Sequence, residues 1–306
     1  MLTTYKTLLS QKKQLTTDVF LFRFQLIEPR QINFKAGQYL ILKIGDKSRL
    51  YSIASPDWQK DTFELLVQTV EGGVGSTYLL NLKIGEEAIF QGPAGMFTLK
   101  DSPTGAPRPK IFLATGTGLA PVRSMIKSEI KKLRYEEIKK LSNEAIKEEN
   151  KNPNFSISHF PNFYLFWGLR YFSDVYFLEE LKEIEKTIEI KKIESKKFAG
   201  VNNPNFSISH FLNFSFKICL SREKNLEMIP EEDRQYFAVG HVNEAMEREI
   251  KKIESKKFGG NPTFLISQFL NFFDFYLCGS RQVVESLRQY LEEKGVPASQ
   301  VFFEKF

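Results

Sequence analysis

Arg49-Leu50-Tyr51-Ser52, continuing as Ile53-Ala54-Ser55-Pro56, is the stretch on which the reading of this chain turns. It places a cation, an aromatic ring and a hydroxyl along one amphipathic strand. Arg49 supplies a planar, permanently charged fork suited to a phosphate oxygen. Tyr51 supplies a flat apolar face with a polar tip, and Ser52 a short hydroxyl that donates or accepts. Such a strand can clamp a ligand that is part phosphate and part aromatic ring. Taken alone, the four residues equally describe a half-buried strand with a surface arginine, because so short a motif recurs by chance.

The flanking sequence reads as antiparallel β. Val19–Leu26 and Gln38–Ile44 alternate apolar and polar residues. Turn residues punctuate them at Glu28-Pro29, Ala36-Gly37, Gly45-Asp46, Pro56-Asp57 and Gly85. Short strands at this spacing predict a sandwich or barrel over residues 1–105. Gly72-Gly73-Val74-Gly75-Ser76 then opens a short helical stretch, Thr77–Asn81. Glycines let a backbone approach a phosphate, and a helix N-terminus offers it free N–H groups. The alternative is a plain glycine loop with Ser76 as the helix cap. Gly92-Pro93-Ala94-Gly95-Met96-Phe97 reads as a structural turn.

The Pro/Gly-rich segment Asp101–Pro109 is the expected domain boundary. From residue 110 the period changes. Lys110–Ala114 is a short buried strand, Pro121–Lys140 a helix, and Thr115-Gly116-Thr117-Gly118-Leu119-Ala120-Pro121 the loop between them. An open α/β sheet binds nucleotides at such a loop. Phe163–Arg170 is the next strand, followed by Ser173-Asp174 and a helix through Glu185. Phe214–Leu220 is a strand ending in Ser221-Arg222-Glu223, with Lys224 beyond. A hydroxyl beside a guanidinium at a strand's end suits a terminal phosphate, although a solvated charge cluster looks the same. His241, in Tyr236–Val242, reads as structural. Phe275–Ser280 is the last central strand, with helix Gln282–Lys294 after it and Val301–Phe306 at the end. Cys278 by itself is a small buried hydrophobe.

In this order and spacing, RLYS, Glu71–Leu79, Gly92–Gly95, Ala114–Pro121, Leu277–Ser280 and Phe303–Phe306 closely resemble the ferredoxin–NADP reductase family of flavoenzymes. The resemblance implies two domains. Residues 1–105 would be a six-stranded antiparallel β-barrel that holds FAD. Residues 110–306 would be an α/β domain with a parallel sheet that binds the nicotinamide nucleotide. It implies that Arg49, Leu50, Tyr51, Ser52, Gly73, Val74, Gly75 and Ser76 hold FAD. Thr117, Gly118, Gly168, Arg170, Ser221, Arg222 and Cys278 would serve the nucleotide. Ser52 would lie near the reactive flavin nitrogen, Tyr51 and Phe306 on opposite ring faces, and Cys278 and Glu304 at the nicotinamide. Phe306 stands where plant-type members carry tyrosine, and would move aside as a gate. The Ser221-Arg222 pair, which in NADPH-using relatives receives the 2′-phosphate, favours NADPH over NADH. The implied activity is electron transfer between NADP(H) and a separate one-electron carrier, a ferredoxin or flavodoxin. An NADH-dependent reductase feeding an oxygenase, or a flavin-free binding protein, are the alternatives.

Bulk properties constrain this reading. The chain has 306 residues, 29 of them phenylalanine, and a net charge of +6. Its length allows two full cores. Two cysteines, Cys219 and Cys278, cannot hold a four-thiolate iron–sulfur cluster, so the carrier is expected to be a separate protein. No apolar run reaches the length of a membrane span, and the first twenty residues lack a signal-peptide core; a cytoplasmic protein is expected. The charge resides in repeats. Lys191, Lys192, Lys196 and Lys197 against Glu194 recur as Lys251, Lys252, Lys256 and Lys257 against Glu254. The remainder is neutral, so the global charge argues for neither a nucleic-acid nor a ferredoxin partner, and no nucleic-acid partner is expected. A second repeated element, Asn152–Phe163, returns as Asn203–Phe214 and, diverged, as Asn261–Phe272. These segments, near 152–163, 191–214 and 251–272, read as insertions in helix-to-strand connections, where added length costs little stability. His159 and His210 lie within them, and no metal site is expected.

Overall fold

The computed structural model describes residues 2–100, 108–132, 163–198, 214–258 and 270–306. The repeat copies 152–162, 203–213 and 261–269, the connector 101–107, His159 and His210 lie outside these residues.

The first sheet is antiparallel and contains β1 (Thr3–Gln14), β2 (Val19–Glu28), β3 (Tyr39–Ile44), β4 (Lys47–Ser52), β5 (Thr62–Gln68) and β6 (Glu87–Ala94). Their order is β4-β3-β6-β1-β2-β5. Alternation along these strands sends one set of side chains inward. Phe24, Phe63 and Phe90, from β2, β5 and β6, are fully buried with ring centroids 5.0–5.4 Å apart. The two ends of this order meet just past β4, where Ile53 bridges Leu65 and the Ala54 N–H donates to the Glu64 carbonyl at 2.8 Å. The expected six-stranded barrel therefore closes beside the RLYS strand. Helix α1 (Val74–Asn81) follows β5.

The second sheet is wholly parallel: β7 (Lys110–Thr115), β8 (Phe163–Leu169), β9 (Phe214–Leu220), β10 (Phe237–Val239), β11 (Asp274–Gly279) and β12 (Val301–Lys305). Its order is β10-β9-β8-β7-β11-β12. Every residue of β11, and all but the last of β7, is buried, as central strands covered on both faces require. The chain leaves β7 toward β8 on one side and places β11 on the other. The loop after β7 thus lies at the switch point where such sheets form a crevice.

Helix α2 covers residues 119–132, so the predicted helix is present over 121–132 and its remainder lies outside the described residues. Helix α3 (Leu178–Phe198) runs well past the expected end near Glu185, and α4 (Val242–Phe258) matches it in form. The repeated Lys-Lys-Ile-Glu-Ser-Lys-Lys-Phe element therefore forms the last turns of two helices. Its lysines, glutamate and isoleucine, with no glycine or proline, favour that continuation. Helix α5 (Arg281–Glu293) is capped by Ser280 and buries Val284, Leu287 and Leu291 against the sheet. One apolar cluster joins the two sheets, with Val19, Leu21, Ala54, Leu66 and Phe97 packed among Phe112, Met125, Trp167 and Tyr276.

Candidate active site

The barrel contributes the edge strand β4. Its position leaves Arg49 exposed and Tyr51 and Ser52 half-buried, while Leu50 turns outward with 60% of its surface free. The glycine loop folds onto this strand. A side chain at Gly75 would place its Cβ 2.3 Å from the Tyr51 hydroxyl and 2.9 Å from the Arg49 Cγ. Only glycine lets the start of α1 lie against both. Gly73 precedes α1 with no side chain capping the helix, so the first-turn N–H groups remain free for an anion beside Arg49. Ser76 is not the cap. It lies inside the helix, donates to the Gly73 carbonyl at 3.2 Å and accepts from the Val70 N–H at 3.3 Å. Burial raises the Tyr51 phenol to about 12, against a lowering pull from Arg49, so it stays neutral.

The α/β sheet contributes the loop after β7, where Gly116–Gly118 makes a single 3-10 turn. A Cβ on Gly118 would fall 2.4 Å from the Cys278 carbonyl oxygen, and one on Gly279 2.2 Å from the Thr115 Oγ1. The two loops are therefore in backbone contact. Gly116 has φ +53°, and its carbonyl accepts two buried donors, Trp167 Nε1 and the Tyr176 hydroxyl, each at 3.0 Å. Gly168 sits under the same loop, where a Cβ would fall 3.0 Å from both the Thr115 Cγ2 and the Val242 Cγ1.

Within this site one hydrogen bond joins the two halves directly. The Ser52 hydroxyl donates to Glu304 Oε1 at 2.5 Å. Glu304 lies directly opposite Cys278 in the β11–β12 pairing. Burial raises the Glu304 carboxyl, partly offset by the Ser52 hydrogen bond. Burial and then the neighbouring Glu304 push the Cys278 thiol well up, which makes it a poor thiolate nucleophile. Phe306 follows. Its N–H donates to the Gly279 carbonyl, its own carbonyl accepts from the Arg281 N–H, both at 3.2 Å, and its ring is exposed. RLYS, the glycine loop, the Thr117-Gly118 turn, Cys278 and Glu304, far apart in sequence, thus form one continuous constellation.

A second group gathers at the ends of β8 and β9. The Arg222 N–H donates to the Arg170 carbonyl, and the Ser221 hydroxyl and N–H both donate to the Leu169 carbonyl. The Arg222 guanidinium lies 5.9 Å from the Tyr171 ring centre. Arg170, Ser221 and Arg222 therefore share one rim. Lys224 is exposed nearby in sequence, and His241 is exposed with its N–H on Glu244. Among the described residues no three His, Cys, Asp or Glu side chains group as metal ligands.

Two features escaped the sequence reading. The Gly92–Phe97 turn, read from the sequence as structural, contributes Gly95, Met96 and Phe97 to a cleft of about 650 Å³ lined also by Tyr39, Lys100 and Val301–Glu304. Arg123, a helix residue with no motif around it, is the centre of a buried ion cluster between the sheets. It holds Glu64 at 2.7 Å and Glu180 at 2.6 Å. Charged residues on a helix read as a solvated face unless burial is known.

These observations agree with what similar proteins contain. Residues 6–99 match the oxidoreductase FAD-binding domain model and residues 112–201 the oxidoreductase NAD-binding domain model. The chain is 27% identical to the reductase component of propane 2-monooxygenase from Mycolicibacterium smegmatis, over 95% of this chain and 64% of that protein. It is 40% identical to ferredoxin–NADP reductase B of Sorangium cellulosum over 35% of this chain and 45% of that protein. The chain thus spans less than two thirds of the length of these relatives. The solved structure of a ferredoxin–NADP reductase from Neisseria gonorrhoeae with bound FAD and NADP superposes with a TM-score of 0.63 at 18% identity, covering 99% of this chain and 98% of that one. The FAD group fits the residues present, since the Gly75 position that a Cβ would fill lies between Arg49, Tyr51 and an uncapped helix start. With both domain models matched in order across more than half of its length, on a barrel followed by a parallel α/β sheet, the chain belongs to the ferredoxin–NADP reductase family of FAD- and NAD(P)-binding oxidoreductases.

Proposed function

We propose that this chain is an NADPH-dependent flavoprotein reductase that passes electrons to a separate one-electron carrier, a ferredoxin or flavodoxin. The observation that carries this reading is the Ser52–Glu304 hydrogen bond, with Cys278 beside it and the Thr117-Gly118 turn packed on the Cys278 carbonyl. It joins a strand suited to a flavin phosphate and ring to the loop suited to a nicotinamide nucleotide. Bound FAD would supply the redox chemistry, accepting hydride from the nucleotide and releasing electrons singly. Arg49 and the N–H groups of Val74–Ser76 would neutralise and orient its pyrophosphate, with Gly73, whose own N–H donates to the Val70 carbonyl, shaping the turn that presents them. Tyr51 and Phe306 lie against the ring, and Phe306, anchored through its backbone alone, turns aside for the nicotinamide. Leu50 contributes its backbone. Ser52 donates to the ring edge or to Glu304, and Glu304, whose carboxyl is held high, takes and returns a proton there. Gly168 and Arg170 flank the nucleotide, and Ser221 and Arg222 grip its 2′-phosphate. Cys278 is a small neutral wall. The expected division near residues 105–110 and the reading of the repeats as passive insertions belong to the same proposal.

The second reading is an NADH-dependent reductase component feeding an oxygenase; similarity along 95% of the chain to the reductase component of a monooxygenase favours the oxygenase part of it. An anaerobic absorbance spectrum of the purified protein, followed by NADPH and NADH titrations, separates the two. Bleaching of a flavin band at far lower NADPH than NADH, with the preference lost in Arg222→Ala, is expected. Equal or better bleaching by NADH overturns the cofactor choice, and no flavin band after addition of FAD overturns the enzyme.

A further inference from the structure

Arg123 occupies a telling place. It stands five residues beyond Gly118, one turn into the helix that follows the nucleotide loop. Its guanidinium, with only 5% of the side chain exposed, reaches into the barrel and donates through Nη1 to the Ala54 carbonyl at 2.8 Å and Glu64 at 2.7 Å. Ala54 is two residues past Ser52. From its other edge Arg123 donates to both Glu180 oxygens, at 2.6 and 2.8 Å, and its flat face lies 4.6 Å from the Phe177 ring centre. The neighbouring Ser124 hydroxyl donates to the Ser55 carbonyl at 2.6 Å. One guanidinium thus ties the chain just after the flavin-facing strand to the helix just after the nucleotide loop.

Burial opposes all of these charges. It raises the Glu64 carboxyl, but the charge and hydrogen bonds of Arg123 and Arg23 bring it below its ordinary value. It lowers Arg123, and Glu180 and then Glu64 more than reverse this. All three groups are ionised together, and the planar fork can satisfy partners on two sides as a lysine cannot. Neither carboxylate depends on Arg123 alone. Glu64 also holds Arg23 at 2.5 Å, and Glu180 holds Lys127 at 3.2 Å.

We infer that Arg123 is a positioning residue, a clasp between the barrel and the α/β sheet that fixes the spacing of the nucleotide loop over the RLYS strand. The inference rests on the proposed reductase chemistry for its catalytic consequence, and on the structure alone for its mechanical one. A misplacement of about 1 Å between reacting groups can cost about a hundredfold in rate.

The test is Arg123→Met, which leaves Glu64 and Glu180 each with a remaining cation, set beside Arg123→Lys. Scanning calorimetry of the wild type is expected to show one cooperative transition, and of Arg123→Met two, as barrel and α/β sheet unfold separately. Stopped-flow reduction of bound flavin by nicotinamide nucleotide is expected to slow at least tenfold in Arg123→Met, and by less in Arg123→Lys, while FAD affinity stays within twofold. A single transition in Arg123→Met with an unchanged reduction rate overturns the clasp. So does a parallel loss of FAD affinity, which would make Arg123 a support of the barrel alone. If the wild type binds no flavin, the reductase reading fails, and the number of calorimetric transitions still decides the clasp.

Discussion

Gly118→Ala pits two physical effects against each other with opposite signs. Gly118 lies where the 3-10 turn runs into α2, and by intrinsic helix propensity alanine gains up to about 1 kcal/mol there. The tertiary structure says otherwise. The added Cβ would meet the Cys278 carbonyl oxygen at 2.4 Å, its carbon at 2.7 Å and the Gly279 nitrogen at 3.1 Å. All three are backbone atoms of β11, which is held between β7 and β12 and has no rotamer by which to yield. Overpacking costs roughly 1–3 kcal/mol; against three fixed backbone atoms the cost lies in the upper part of that range, about 2–3 kcal/mol, and the net loss is about 1–2 kcal/mol. At roughly 2–4 °C per kcal/mol for a chain of this size, thermal unfolding followed by circular dichroism should drop by about 2–8 °C. Affinity for the nicotinamide nucleotide should fall with it, because the loop is pushed off Cys278. Gly279→Ala is the internal control. Its Cβ meets the Thr115 Oγ1 at 2.2 Å, but that hydroxyl can rotate, and the next atoms lie at 3.5 Å or more. A Gly118→Ala protein as stable as the wild type, or a Gly279→Ala protein damaged more than it, would refute the packing argument.

The other expectations are brief. Ser52→Ala should retain FAD yet lower turnover at least tenfold, read by steady-state reduction of an artificial electron acceptor; unchanged turnover removes Ser52 from the chemistry. Glu304 has a raised carboxyl, so its contribution to stability is full below the ordinary value of 4.5 and is lost as pH rises through the higher folded value. Glu304→Gln should therefore gain in unfolding temperature over the wild type between pH 4 and pH 8, and a difference that stays flat with pH contradicts the assignment. Glu64 and Glu180 have lowered carboxyls, so theirs is present above 4.5 and is lost as pH falls through the folded values. The stability gap between wild type and Arg123→Met should accordingly close in acid, and a gap unchanged at pH 3 argues against the charged cluster.

What the sequence alone determined is the local grammar. Alternation at Val19–Leu26 and Gln38–Ile44, unbroken apolar runs at Ile111–Ala114 and Phe275–Leu277, and glycines at 72–75 and 116–118 specify a β half, an α/β half and two phosphate-seeking loops. Side-chain period and glycine content are properties of neighbouring residues, so they survive in one dimension. The length of α3 was less legible, because the turns from Lys191 to Phe198 belong to a repeated element that reads equally as inserted sequence.

The tertiary structure alone decided which residues meet. Ser52 and Glu304 are 252 positions apart, and only the closing of the barrel against β12 brings a hydroxyl onto a carboxylate. Ser76 reads as a helix cap until Gly73 takes that position. Arg123 has the composition of a solvent-facing helix residue. It becomes a buried clasp because α2 packs across the junction between the sheets, where desolvation makes an unpaired charge costly and Glu64 and Glu180 stand on either side. Long-range pairing of polar groups leaves no local pattern in a sequence, since burial, which gives such pairs their energy, is set by every other element of the fold.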